Sequence, residues 1–206
     1  MILIGQYDSP FVRRVGITLR LYGIAFDHRP LSAFSDTAAL AALNPLLRVP
    51  ALVLPDGFVL TDSHMILDYL DGMAAAPLLP RHQPARLRAL QIVALACGVA
   101  EKAVSLFYEQ RMHDVVSPQF DQRCREQITA TLATLDADFA ARRTPFWLGS
   151  AISHADIATA CAWRFIGEAH PDLLHAGRYP ALADLCARLE SLPVFGEIAQ
   201  GFRPPQ

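Results

Sequence analysis

The sequence predicts a small mixed α/β domain followed by an all-helical one, and three observations carry that prediction. Over the first seventy residues, apolar runs of strand length alternate with helical patterns. A proline-rich stretch without periodicity, "DGMAAAPLLPRHQP", comes next. Beyond it no segment reads as a strand. The first region has the order βαβαββα. The expected division is a mixed domain over residues 1–76, a linker over 77–84 and a helical domain over 85–206.

Each element has a local reason. "MILIGQY" is an apolar run of strand length. Ser9 then supplies an N-cap and Pro10 a first helical residue. Phe11, Val15, Leu19 and Tyr22 recur at helical spacing, and Gly23 supplies the stop. "FDHRPL" reads as a second strand, and "SDTAALAAL" as a second helix capped by Ser35 or Asp36. A right-handed crossover through the first helix makes the first two strands parallel. "RVPALVLPDGFVLTDS" reads as two apolar strands around a Pro-Asp-Gly turn, hence an antiparallel hairpin, and "HMILDYL" begins a third helix.

In the second region, "PARLRALQIVALACGVAEKAVSLFYEQRMH" is apolar nearly all round, as a central bundle helix should be. Ser117-Pro118 opens a second long helix, "SHADIATACAWRFIGEAH" is a third and "YPALADLCARLESL" a fourth. Ser153 and Asp156 have capping-box spacing and read as folding machinery.

Composition narrows the function classes. A net charge of −2 without a basic cluster leaves no electrostatic footprint for nucleic acid or an anionic membrane surface. "MILIGQYDSP" lacks the basic region of a signal peptide, and no uninterrupted apolar run reaches the roughly 20 residues of a membrane span, so a cytoplasmic protein is expected. Cys97, Cys124, Cys161 and Cys186 lack CxxC spacing and read as buried thiols of a reducing compartment. The histidines are dispersed without a Cys/His cluster, so no metal site is expected, and no phosphate-binding glycine loop occurs.

Three features of the first domain converge if the strands pair as read. Ser9 sits where the first strand hands over to a helix, Val49-Pro50 opens the third strand, and Asp62-Ser63 sits where the fourth strand hands over to a helix. Such junctions aim free backbone N–H groups and the positive end of a helix dipole at whatever binds there, which suits an anionic ligand. The same residues also serve as plain caps and strand punctuation, and spacing alone leaves both readings open.

At "SPFVRRV", "NPLLRVPAL" and "LTDSHMILDYL" the chain resembles the cytosolic glutathione transferases of the bacterial serine type. "LGSAISHADIATA" is similar to that family's G-x-x-x-[ST]-x-A-D element, and "YPALADLCARLESLP" to its terminal helix. The resemblance covers nearly the whole chain in the expected order. It implies a thioredoxin-like first domain that binds glutathione as co-substrate, and a helical domain that supplies a wall for a small hydrophobic electrophile. It further implies that Ser9 donates its hydroxyl hydrogen to the glutathione sulfur, with Tyr7 as the alternative donor. Pro50 would be cis, Val49 would pair its backbone with the cysteinyl unit, and Asp62 and Ser63 would hold the γ-glutamyl end. Arg48 is the candidate for the glycyl carboxylate.

Phe107, Tyr108 and Arg111, about one turn apart, are candidates for the second-substrate pocket; the alternative makes Phe107 core and Arg111 a surface cation. The first domain has no cysteine, which disfavours the thiol–disulfide chemistry of the family's cysteine classes. A homodimer is implied. Two functions follow: a glutathione transferase that conjugates or isomerises small electrophiles, or a non-catalytic binding or scaffold protein with vestigial transferase activity.

Overall fold

The computed structural model describes residues 1–202; the last four residues of the expected helical domain, 203–206, lie outside them. The chain forms two compact units, Met1–Pro77 with the C-terminal segment from Leu192 onward, and Leu78–Ser191.

The first unit has the expected order: β1 (Ile2–Ile4), α1 (Pro10–Leu21), β2 (Asp27–Arg29), α2 (Thr37–Ala41), β3 (Ala51–Val53), β4 (Val59–Thr61) and α3 (Ser63–Met73). The sheet order is β2-β1-β3-β4. β1 is parallel to β2 and antiparallel to β3, and β3 is antiparallel to β4. The hairpin turn closes as its residues require, with Gly57 at φ 87° and Asp56 Oδ1 accepting from the Phe58 amide at 3.0 Å. Side chains alternate across the sheet with a period of two. Leu3 and Leu52 face Val12, Val15 and Leu19 of α1 and Ile66, Leu67 and Leu70 of α3. Ile4 and Ala51 face Leu40 of α2 on the other side. Asp36 stands at the head of α2, but its carboxylate accepts from the Ser32 amide at 2.8 Å instead of capping the helix.

α1 is buried through Leu19 on every side, including Arg13 and Arg14. Arg13 explains why the chain groups differently from the sequence division at its C-terminal end. Its Nε donates to the Ile198 carbonyl at 2.8 Å and its Nη2 to the Phe195 carbonyl at 2.9 Å. These carbonyls lie at the C-terminal end of the short helix α8 (Pro193–Glu197), where carbonyls lack helical partners. α8 is thereby fastened to α1, so the segment after Ser191 belongs with the first unit.

The second unit holds α4 (Ala85–Met112), α5 (Pro118–Ala140), α6 (His154–Ala169), a 3₁₀ turn (Pro171–Leu173) and α7 (Pro180–Glu190). α4 packs against α5 and α6, and α7 against both of the latter. By length and composition α4 could cross a membrane; half of its most apolar stretch is buried within the protein, as a core helix requires. Ser117 caps α5 with Pro118 following, and Ser153 with Asp156 forms the capping box of α6. All four cysteines are buried and none forms a disulfide.

Candidate active site

The loop from Gly5 to Ser9 joins β1 to α1 and brings three parts of the first unit together. Gly5 has φ 120°, and a Cβ there would lie 2.5 Å from Val12 Cγ2 and 2.8 Å from Val49 Cβ. Only glycine lets the strand end, the first turn of α1 and the loop before Pro50 approach so closely. Ser9 is half-buried at the N-cap, with φ −67° and ψ 123°, and its Oγ accepts from the Val12 amide at 3.4 Å. That bond is long, and it uses only an acceptor lone pair. The hydroxyl hydrogen remains available to a ligand.

Tyr7 packs against β2 and the middle of α1. Its ring stacks on His28 with centroids 3.8 Å apart, and its Cε1 lies 3.1 Å from where a Gly16 Cβ would stand. Burial raises the phenol's pKa; the Arg20 charge opposes this and the Glu197 charge adds to it. The Tyr7 ring is thus packed between His28 of β2 and the middle of α1.

The Val49–Pro50 peptide bond is cis, and Pro50 is buried at the head of β3. Asn44, itself buried, holds the approach: its Nδ2 donates to the Arg48 carbonyl at 2.9 Å and its Oδ1 accepts from the Leu46 amide at 3.1 Å. Arg48 is exposed.

At the other junction Asp62 has φ 68° and ψ 128°, a sparsely populated conformation for a residue with a side chain. Such strain costs about 1–3 kcal/mol and gathers at functional positions. Asp62 Oδ1 accepts from the His64 amide at 2.7 Å and lies 3.1 Å from the His64 ring Nδ1. Burial acts to raise the Asp62 pKa, but the amide and ring of His64 and the Arg14 charge outweigh it and hold the carboxyl below its ordinary value. Ser63 is 2% exposed, and its Oγ accepts from Arg14 Nη1 at 3.3 Å. The serine therefore has its own hydrogen to offer, beside a buried cation and at the head of a helix of eleven residues.

Arg14, like Asn44, escapes a reading of the sequence alone. The available signal was the pattern of α1, whose apolar residues leave no wide polar face for two adjacent arginines. Ser9, Val49, Pro50, Asp62 and Ser63 are thus tied together through Gly5 and Arg14, which belong to β1's end and to α1.

In the second unit, Phe107, Tyr108 and Arg111 form one cluster near the end of α4. Phe107 is 7% exposed and meets Phe165 edge-on at 6.4 Å. The Arg111 guanidinium stands 6.0 Å over the Phe107 ring, and the Tyr108 ring lies 6.3 Å away. Phe107 is a core residue, and only Tyr108 and Arg111 have surface to offer a ligand. Among the described residues no three His, Cys, Asp or Glu side chains gather as a metal site would require.

Residues 3–78 match the family model for the glutathione S-transferase N-terminal domain, and residues 118–188 the model for the C-terminal domain. The chain is 35% identical over 138 residues to an Escherichia coli (strain K12) protein named as uncharacterized GST-like protein YibF, covering 66% of this chain and 68% of that one. A Methylobacterium radiotolerans glutathione S-transferase, solved with glutathione sulfonate, superposes with a TM-score of 0.90 at 28% identity, covering 100% of this chain and 98% of that one. A Methylobacterium extorquens maleylacetoacetate isomerase, solved with malonate and glutathione, superposes at 0.80 with 26% identity, covering 96% and 95%. With both domain models matched in order and a GST-like relative 35% identical over two thirds of the chain, the chain belongs to the glutathione S-transferase family.

Proposed function

We propose that the chain binds glutathione across the two strand-to-helix junctions and activates its thiol through Ser9, for conjugation or isomerisation of a small hydrophobic electrophile. The observation that carries this reading is the Ser63 environment. A buried hydroxyl, supported by a buried arginine at a helix N-terminus, is an anion site, and the strained Asp62 beside it offers a carboxylate to an ammonium group. A γ-glutamyl end carries both an α-carboxylate and an α-ammonium. Val49 then presents backbone to the cysteinyl unit and Arg48 a charge to the glycyl carboxylate, which leaves the sulfur toward Ser9. Glutathione sulfonate and glutathione in the related structures support the same ligand here.

The chemistry asked of Ser9 is modest. A free thiol has a pKa near 8.5, so only a few per cent is thiolate at pH 7. One hydrogen bond to a charged group stabilises it by roughly 1.5–3 kcal/mol, or about one to two pKa units. The N-terminus of α1 adds to this. The thiolate pair forms the bond to electrophilic carbon while a leaving group departs, or adds reversibly to a conjugated double bond so that rotation precedes its expulsion. Tyr108 and Arg111, packed on Phe107, are the surface we assign to the second substrate.

Calorimetry with glutathione tests the site. Ser63→Ala should weaken binding by roughly 1.5–3 kcal/mol, or about tenfold to a hundredfold in Kd. Unchanged affinity would remove the γ-glutamyl assignment. Turnover of an electrophile panel should require glutathione, whereas a carrier would take its cargo equally well without it.

We also assign the enzyme to the cytoplasm, consistent with four buried cysteines and no disulfide, and to a homodimer. Each unit leaves large apolar side chains uncovered: Phe58, Met65 and Met73 in one, Leu87 and Leu90 in the other. Sedimentation at micromolar concentration should give about twice the 22.6 kDa chain mass; a clean monomer would contradict the assignment.

A further inference from the structure

We propose that His28 and Gln200 are positioning residues for the thiol chemistry, clamping the Gly5–Ser9 loop so that the Ser9 hydroxyl meets the ligand sulfur; this rests on the reading of Ser9 given above. The loop belongs to neither strand nor helix, so its shape depends on what grips its backbone. The Gly5 carbonyl lies 2.7 Å from His28 Nε2. A carbonyl can only accept, so the imidazole carries its hydrogen on Nε2. The same ring stacks on Tyr7 at an interplanar angle of 7°. One histidine on β2 therefore holds both a main-chain and a side-chain group of the loop.

The second grip comes from 193 positions further along the chain, where Gln200 Oε1 accepts from the Tyr7 amide at 3.2 Å. Gln200 is itself held in place, because its segment is fastened to α1. Arg13 bonds the Phe195 and Ile198 carbonyls, Arg20 pairs with Glu197 at 2.8 Å, and Ile198 Cγ2 sits 2.8 Å from the space a Gly16 Cβ would occupy. Inside the loop, a bond from the Ser9 amide to the Gln6 carbonyl at 3.2 Å fixes the last step to Ser9. The Gly5 carbonyl, Tyr7 ring and Tyr7 amide are thus all engaged by side chains from outside the loop. A displacement of the order of 1 Å at a reacting group can cost up to about a hundredfold in rate.

The test measures the pKa of the glutathione thiol on the enzyme, from thiolate ultraviolet absorbance, together with kcat and KM. His28→Phe keeps an aromatic ring on Tyr7 but removes the donor to Gly5; Gln200→Ala removes the acceptor for Tyr7. Each should raise the bound-thiol pKa by about one unit and lower kcat roughly tenfold, with little change in the KM for glutathione. His28→Gln, which keeps a donor near the Nε2 position, and Gln200→Glu, which keeps an acceptor, should restore most of the loss. Melting temperatures identify any variant whose loss reflects unfolding, and the conservative pair then decides. The Ser9→Ala/Gln200→Ala double variant should be no worse than Ser9→Ala alone, because the clamp acts through Ser9. If Ser9→Ala shifts the thiol pKa while His28→Phe and Gln200→Ala do not, the clamp is wrong and the serine reading stands. If Ser9→Ala itself leaves the thiol unmoved, the serine reading fails and takes the clamp with it. Additive effects in the double variant would also overturn the clamp.

Discussion

Asp156→Ala should lower the unfolding free energy by about 3–5 kcal/mol. Asp156 is 0% exposed, and its two oxygens serve three donors. Oδ1 accepts from the Trp147 amide at 2.9 Å, while Oδ2 accepts from the Ser153 amide at 2.8 Å and from Ser153 Oγ at 2.6 Å. Each donor left without a partner in the core costs about 1–3 kcal/mol, not additively. Trp147 is itself 0% exposed, packed edge-on against Phe139 at 4.9 Å and bonded through Nε1 to Thr159. Releasing its backbone loosens the segment between α5 and α6.

Burial raises the Asp156 pKa, and the bonds from Ser153 and Trp147 offset that only in part. A carboxyl with a raised folded-state pKa contributes stability that is present at acid pH and lost as pH rises through that pKa. The deficit of Asp156→Ala relative to the wild type should therefore widen as pH is lowered toward 4. Urea unfolding at several pH values measures both effects, and Asp156→Asn, which keeps one acceptor, should cost less. A loss under about 1 kcal/mol in the alanine variant would show that the three donors find other partners.

Ser9→Ala should raise the pKa of bound glutathione by about one to two units and lower kcat near neutral pH by roughly tenfold to a hundredfold. The affinity for glutathione should change little, because the contacts proposed for the γ-glutamyl end at Asp62 and Ser63 are untouched. Folding should suffer only slightly: the cap bond to Val12 is 3.4 Å long, so its loss should cost about 0.5–1 kcal/mol. Tyr7→Phe serves as the contrast. Its ring is stacked on His28 and packed against Gly16 of α1, so the thiol pKa should stay where it is. A bound-thiol pKa that stays at its wild-type value in Ser9→Ala but rises in Tyr7→Phe would reverse the two roles.

What the sequence made legible was set by local chemistry. Ser9 before Pro10, the Pro-Asp-Gly turn and Ser117 before Pro118 each act on their immediate neighbours, so the elements they bound appear where the residues predict. Ser9, Pro50, Asp62 and Ser63 were readable as candidates because they too stand at the ends of strands and helices. The residues that shape the site from a distance were not. Arg14 reaches Ser63 from another element, Asn44 bonds a carbonyl across its own loop, and Gln200 meets Tyr7 from the opposite end of the chain. None of these pairings leaves a periodic or spaced trace. The cis bond at Pro50 came only through resemblance, and the return of α8 to the first unit depends on Arg13, whose partners lie more than 180 positions away.

A crystal structure of the glutathione complex tests the central claim most directly. The sulfur should lie within hydrogen-bonding distance of Ser9 Oγ, the γ-glutamyl carboxylate on the Ser63 hydroxyl and amide, and its ammonium on Asp62. Glutathione with its sulfur on the Tyr7 hydroxyl, or with its γ-glutamyl end away from Ser63, would contradict it.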